Sequence, residues 1–106
     1  MGLFDFLRGP DLQAGLQAYR ATPGALLLDV RTEGEYRGGH IPGSRNLPLA
    51  ALGGAAAVAP GKDTPLFVYC QSGARSAQAA AQLRRMGYTH VQNIGGMAGY
   101  HGKVER

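Results

Sequence analysis

Apolar residues concentrate in two short runs, Ala25–Val30 (ALLLDV) and Pro65–Cys70 (PLFVYC). Neither run alternates with polar residues, the pattern of strands covered on both faces, as in a parallel sheet. Ahead of the first run, Leu12, Leu16 and Tyr19 share one helical face behind Asp11, a good N-cap, and Thr22-Pro23-Gly24 ends that helix. Thr32-Glu33-Gly34-Glu35 has the spacing of a capping box, so a short helix is expected from Thr32. His40-Ile41-Pro42-Gly43 reads as a turn and Ser44–Pro48 as a short strand. Ala50–Ala59 fits a weak helix broken at Gly53-Gly54, or a loop. After Gly73, Ser76–Met86 reads as a helix with Ala77, Ala80, Ala81 and Leu83 near one side, stopped by Gly87. Thr89–Ile94 is a last short strand, followed by Gly95-Gly96-Met97 and a turn of helix. Strands alternating with helices predict an α/β fold in three layers: a central, mainly parallel sheet of four to five strands flanked by helices. The pattern leaves strand order open.

With 106 residues, 44% hydrophobic and 17% charged, the chain has enough apolar material for one core. Residues 1–106 are therefore expected to form a single domain, with 1–10 as an N-terminal extension. Eleven basic residues, nine of them arginine, against seven acidic ones give a net charge of +4. The arginines are scattered and not interleaved with aromatics, so nucleic acid is not an expected partner. The excess fits a basic soluble surface or a small anionic substrate. One cysteine excludes an internal disulfide, and no apolar run is long enough to span a membrane. The opening MGLFDF lacks the basic front and small-residue cleavage site of a signal peptide, and Phe6 stands where myristoylation requires Ser or Thr. A cytoplasmic location without membrane contact is the expectation.

The chemistry concentrates in Cys70-Gln71-Ser72-Gly73-Ala74-Arg75-Ser76. A cysteine ends a buried strand, a short loop follows and a helix begins, the place where open α/β sheets bind ligands. Backbone N–H groups of Gln71 to Ser76 can curl around the sulfur and, with the helix N-terminus, favour an anion. Gly73 permits the positive φ of a tight cradle, and Arg75 adds a cation with a fork of donors. Cys70 is thus expected to be a reactive thiolate rather than a packing residue.

These motifs resemble those of rhodanese-like domains. PLFVYC-QSGARS, with C-x-x-G-x-R-S on a strand-to-helix loop, is similar to the family's active-site loop. LLLDVR at Leu26–Arg31 is similar to its first core strand. Tyr36, His40-Ile41-Pro42-Gly43 and Asn46-Leu47-Pro48 resemble its second hallmark, and Gly95-Gly96-Met97 its C-terminal segment. The matches run in the family's order over residues 25 to 100. The departures are Ser44, where the family often has Ala, and Tyr100, where it often has Trp. The resemblance implies transfer of sulfane sulfur, from a small anionic donor such as thiosulfate to cyanide or a thiol, through a persulfide on Cys70. A sulfur-acceptor protein is a possible partner, and neither organic cofactor nor metal is required. Asp29, Arg31 and His40 would organise the surroundings of the site. Four residues separate Cys70 from Arg75, one fewer than in related cysteine phosphatases, which disfavours a phosphatase or arsenate reductase. The remaining rival is a non-catalytic binding module, against which Cys70, Gly73 and Arg75 stand together.

Other residues carry less. Asp29 and Arg31 equally suit an ordinary salt bridge, Glu35 a cap, and His40 a hydrogen bond that fixes its turn in preference to acid–base work. His90 and His101 show no ligand spacing with Cys70, so no metal site is expected. Gly61-Lys62 lacks the upstream glycine and the following Ser or Thr of a phosphate loop and reads as a turn. Ser72-Gly73 lacks the first glycine of a nucleophile elbow.

Overall fold

The computed structural model describes residues 10–106. All but Pro10 of the segment assigned to an N-terminal extension lies outside the described residues. Four strands form one parallel sheet: β1 (Leu26–Asp29), β2 (Arg45–Asn46), β3 (Leu66–Cys70) and β4 (Val91–Gly96), in the order β2-β1-β3-β4. The helices are α1 (Leu12–Ala21), α2 (Glu33–Gly38), α3 (Ala55–Val58) and α4 (Ala74–Arg85). The expected α/β architecture is therefore present, with four strands.

The two apolar runs occupy the centre because each buries both faces. On one face Leu27, Phe67, Tyr69 and Ile94 pack with Leu12 and Leu16 of α1. On the other, Leu28, Val30, Leu66, Val68 and Cys70 pack with Leu52, Ala55, Ala79, Ala80 and Leu83. The period of two along β3 places Cys70 on the α4 side and Tyr69 on the α1 side. Parallel strands bring all four carboxyl ends to one edge, where Asp29, Cys70 and Gly96 end their strands.

Local signals explain the boundaries. Asp11 accepts from the N–H groups of Gln13 and Ala14 and starts α1. Thr32 and Glu35 close the expected capping box at α2. Gly87, at φ +106°, ends α4, and Tyr88 N–H returns to Leu83 O. The Ala/Gly stretch is a 3-10 helix, Leu49–Gly54, running into α3.

Two expectations are corrected. Helix α4 begins at Ala74, not Ser76, because Gly73 itself is the N-cap, in the left-handed region. Its buried face is Ser76, Ala79, Ala80 and Leu83, while Ala77 is exposed and Ala81 half-buried. The cause is the tight loop, which aims Ser76 at the sheet and sets the register for every later turn. Strand β4 is also shifted two residues along, Val91–Gly96 in place of Thr89–Ile94, with an irregularity that pairs Val68 with Asn93 but Tyr69 with Gly95.

Candidate active site

Cys70 is fully buried at the end of β3, opposite Gly96 of β4. The N–H groups of Gly73 and Ser76 point at its Sγ from 2.9 and 3.4 Å. The Ser76 Oγ lies 3.5 Å from the same sulfur. Burial pushes the thiol up, but the Ser76 hydroxyl and the N–H groups of Ser76, Gly73 and Ser72 pull it down further, leaving it below its ordinary value. The loop thus stabilises an anion on sulfur with backbone donors that need no rearrangement.

Two glycines allow this wrap. Gly73 has φ +98°, which lets its N–H turn inward. Gly96 lies so close under the loop that a Cβ there would overlap the carbonyl oxygen of Gln71 and the backbone of Ser72. The loop is further tied down where Ala98 N–H donates to Gln71 O at 3.1 Å. The side chains of Gln71, Ser72 and Ala74 are exposed at the rim.

Arg75 departs from expectation. Its fork is taken by Glu35, with Nη1 and Nη2 donating to the two carboxylate oxygens at 2.7 and 3.0 Å. Glu35, expected only as a cap, therefore joins α2 to the loop across 40 positions of sequence. Arg75 holds it at about 2, helped by the N–H and hydroxyl of Thr32, although burial opposes the shift. Nothing local in the sequence signals this pair, since both partners already satisfy a local motif.

Asp29 and Arg31 form a buried ion pair. The Arg31 Nε and Nη2 donate to the Asp29 carboxylate, and Nη2 also reaches Gly39 O at 2.7 Å. Nη1 lies 3.4 Å from the Gln71 Oε1, which connects this pair to the loop. His40 instead faces α2: its Nδ1–H donates to Tyr36 O at 2.8 Å and its ring stacks on Tyr36 at 3.6 Å. The His40 backbone bridges to Glu105, and none of its hydrogen bonds goes to residues 70–76. Ser44, the departure after Pro42-Gly43, is hydrogen-bonded to the buried Tyr69 hydroxyl at 3.0 Å. Tyr100 packs against the α1-side core, and its hydroxyl donates to Lys103 O.

A cavity of about 280 Å³ opens beside the loop, lined by Val30, Thr32, Pro48, Leu49, Ala50 and Arg75. A cleft of about 310 Å³ lies on the other side, between the start of α1 and Gln71, Ser72 and Gly96. Among the described residues no three His, Cys, Asp or Glu side chains are grouped to hold a metal ion. None of their helices is long and apolar enough to cross a membrane.

A four-stranded parallel sheet that ends in a cysteine cradled by loop amides defines a single-cysteine α/β domain built to carry an anionic sulfur. The chain belongs to the rhodanese-like domain family, whose model matches residues 11–103. It is 42% identical over 82 residues to the uncharacterized protein YqhL of Bacillus subtilis, covering 76% of this chain and 64% of that protein. It is also 42% identical over 71 residues to thiosulfate sulfurtransferase PspE of Escherichia coli, covering 66% of this chain and 68% of the relative. A solved structure of a rhodanese with anions from E. coli superposes with a TM-score of 0.72 at 35% identity, covering 77% of this chain and 98% of that one.

Proposed function

We propose that the chain is a sulfurtransferase of the thiosulfate type, working through Cys70. The thiolate attacks the outer sulfur of a small anionic donor such as thiosulfate. A new S–S bond forms, the donor's own S–S bond breaks, and sulfite departs with the bonding electrons. Cys70 is left as a persulfide. A thiolate or cyanide then attacks the outer sulfur, and the Cys70 thiolate leaves and is regenerated. The observation that carries this reading is the convergence of the Gly73 and Ser76 N–H groups on one sulfur. The PspE relative, named as a thiosulfate sulfurtransferase, supports it.

The chain holds one cysteine, so no second thiol of the same chain resolves the persulfide. Sulfur leaves to an external acceptor, a small thiol, cyanide or a sulfur-acceptor protein, with ping-pong kinetics. Residues 1–106 act as one domain without metal, organic cofactor, nucleic acid or membrane. A reducing compartment such as the cytoplasm, which preserves a free thiol, suits this chemistry. Intact mass after thiosulfate is the test. The wild type gains one sulfur atom, cyanide removes it as thiocyanate, and Cys70→Ser gains none. Failure of the folded, reduced wild type to gain sulfur overturns the enzyme reading in favour of a binding module.

A further inference from the structure

Ser76 Oγ is fully buried and surrounded by acceptors, yet it has one proton to give. Asn93 Oδ1 is 2.6 Å away, Gly73 O 3.0 Å, Gly95 O 3.4 Å and Cys70 Sγ 3.5 Å. The orientation of the Asn93 amide is fixed by a neighbour that can only donate. Gly95 N–H lies 3.0 Å from the same Asn93 oxygen, which must therefore be Oδ1. Oδ1 accepts and cannot donate, so the short contact requires the Ser76 hydroxyl to give its proton to Asn93. Gly73 O already receives Ala77 N–H at 3.1 Å and the Asn93 Nδ2 at 3.4 Å, which makes it the poorer competitor.

We propose that Asn93 is a positioning residue that holds the Ser76 hydroxyl away from Cys70 in the resting thiol and releases it to the sulfur when the thiol ionises. The proposal concerns the site of the sulfurtransferase reading and rests on that reading only for its consequence in turnover. In the thiol, the Sγ–H donates to the Ser76 oxygen, whose proton lies on Asn93. When a solvent base removes the Sγ proton, the hydroxyl turns by rotation about its Cβ–Oγ bond and donates to the sulfur anion. No atom other than that one hydrogen need move. When the persulfide forms, charge passes to the outer sulfur and the hydroxyl returns to Asn93. The amide thus draws the hydroxyl proton back from the anion, opposing ionisation, and sets how far the loop lowers the thiol.

The charged surroundings leave room for this effect. Strand β4 bears no charged side chain over Val91–Gly96. Arg75 of α4 acts on Cys70 through its charge but is held by Glu35 of α2, and Asp29 of β1 is taken by Arg31.

The test is the rate of Cys70 alkylation by iodoacetamide against pH, in the full chain, which requires no sulfur transfer and so stands or falls apart from the enzyme reading. Asn93→Leu removes the competing acceptor, so the alkylation midpoint moves to lower pH. The rate on the acid limb then rises about two- to tenfold, the range of one neutral hydrogen bond. Asn93→Asp, a stronger acceptor that also adds a negative charge, moves the midpoint up, and by more with the Ser76 hydroxyl present than in a Ser76→Ala background. In a Ser76→Ala background Asn93→Leu has no effect, because the hydroxyl it would release is gone. Asn93→Ala repeats the first arm should leucine disturb β4. A midpoint that rises in Asn93→Leu and Asn93→Ala, as loss of a merely structural residue would cause, overturns the proposal. So does a full effect of Asn93→Leu without the Ser76 hydroxyl.

Discussion

The guanidinium of Arg75 and the carboxylate of Glu35 face each other in a two-pronged ion pair, 2.7 and 3.0 Å long, beside the loop that cradles the Cys70 sulfur. The pair ties the capping box of α2 to the first turn of α4, so removing Glu35 loosens two elements at once. Because each side chain is about one-third exposed, Glu35→Gln costs about 1 kcal/mol or less at neutral pH. The dependence on acidity has a definite sign. Glu35 is held at about 2 against an ordinary 4.5, so its contribution is complete above 4.5 and disappears as pH falls toward 2. Urea unfolding of wild type and Glu35→Gln at a series of pH values should show the gap narrowing over that interval.

Arg75→Ala removes the positive charge that acts on Cys70 and leaves Glu35 uncompensated. The pH midpoint of Cys70 alkylation should rise. Arg75→Lys should recover part of the difference, since the charge survives and the planar fork does not.

Gly73→Ala places a side chain on a residue with φ +98°, a conformation costing a non-glycine residue about 1–2 kcal/mol. The loop has a cheaper escape, which is to turn the Gly73 N–H away from the sulfur. The variant should therefore fold with a modestly lower Tm and a Cys70 midpoint shifted upward, read by calorimetry and alkylation together.

Two other glycines separate stability from activity. Gly15 sits in α1, where alanine ordinarily adds about 1 kcal/mol. Here its Cβ would overlap the Ile94 side chain, so Gly15→Ala should instead destabilise by about 1–3 kcal/mol with sulfur loading intact. In Gly96→Ala the added methyl meets the Gln71 and Ser72 backbone, so the loop is displaced and sulfur loading should be lost in protein that still folds. Mass after thiosulfate and Tm, measured on both variants, check the contrast.

The Tyr69 hydroxyl receives Ile41 N–H at 3.1 Å and pairs with Ser44 Oγ, fastening the His40–Gly43 turn to the central strand. Burial raises the Tyr69 phenol above its ordinary value, so it remains neutral. In the bond to Ser44 either hydroxyl can be the donor. Ser44→Ala removes that buried hydrogen bond, at about 0.5–1.5 kcal/mol. Adding Tyr69→Phe should cost about a further 1–3 kcal/mol, because it leaves the buried Ile41 N–H unpartnered, which a double-mutant cycle in urea would read.

What could be read in the chain was whatever is decided within a few residues. Asp11, the Thr32–Glu35 box, Gly87 and the two apolar runs each act through near neighbours, and each places its element correctly. The Cys70–Ser76 loop is legible for the same reason, because its donors and its acceptor lie in one short segment. The α4 face was misjudged because its phase is set by the left-handed Gly73, one turn upstream of the residues used to judge it. Strand order, the Arg75–Glu35 pair and Asn93 depend on which segments meet in space. Asn93 in particular has no local signal, since its partner Ser76 is on another element, 17 residues away.

Two peptide N–H groups hold the sulfur beside the Ser76 hydroxyl, while the side chains of Ser72 and Ala74 are exposed on the same loop. Peptide groups do not change when a codon does. Those two positions can therefore change in bulk without altering the peptide groups that hold the sulfur. The shape of the rim and the donors around the sulfur are thus set by different atoms, so one can vary while the other is kept.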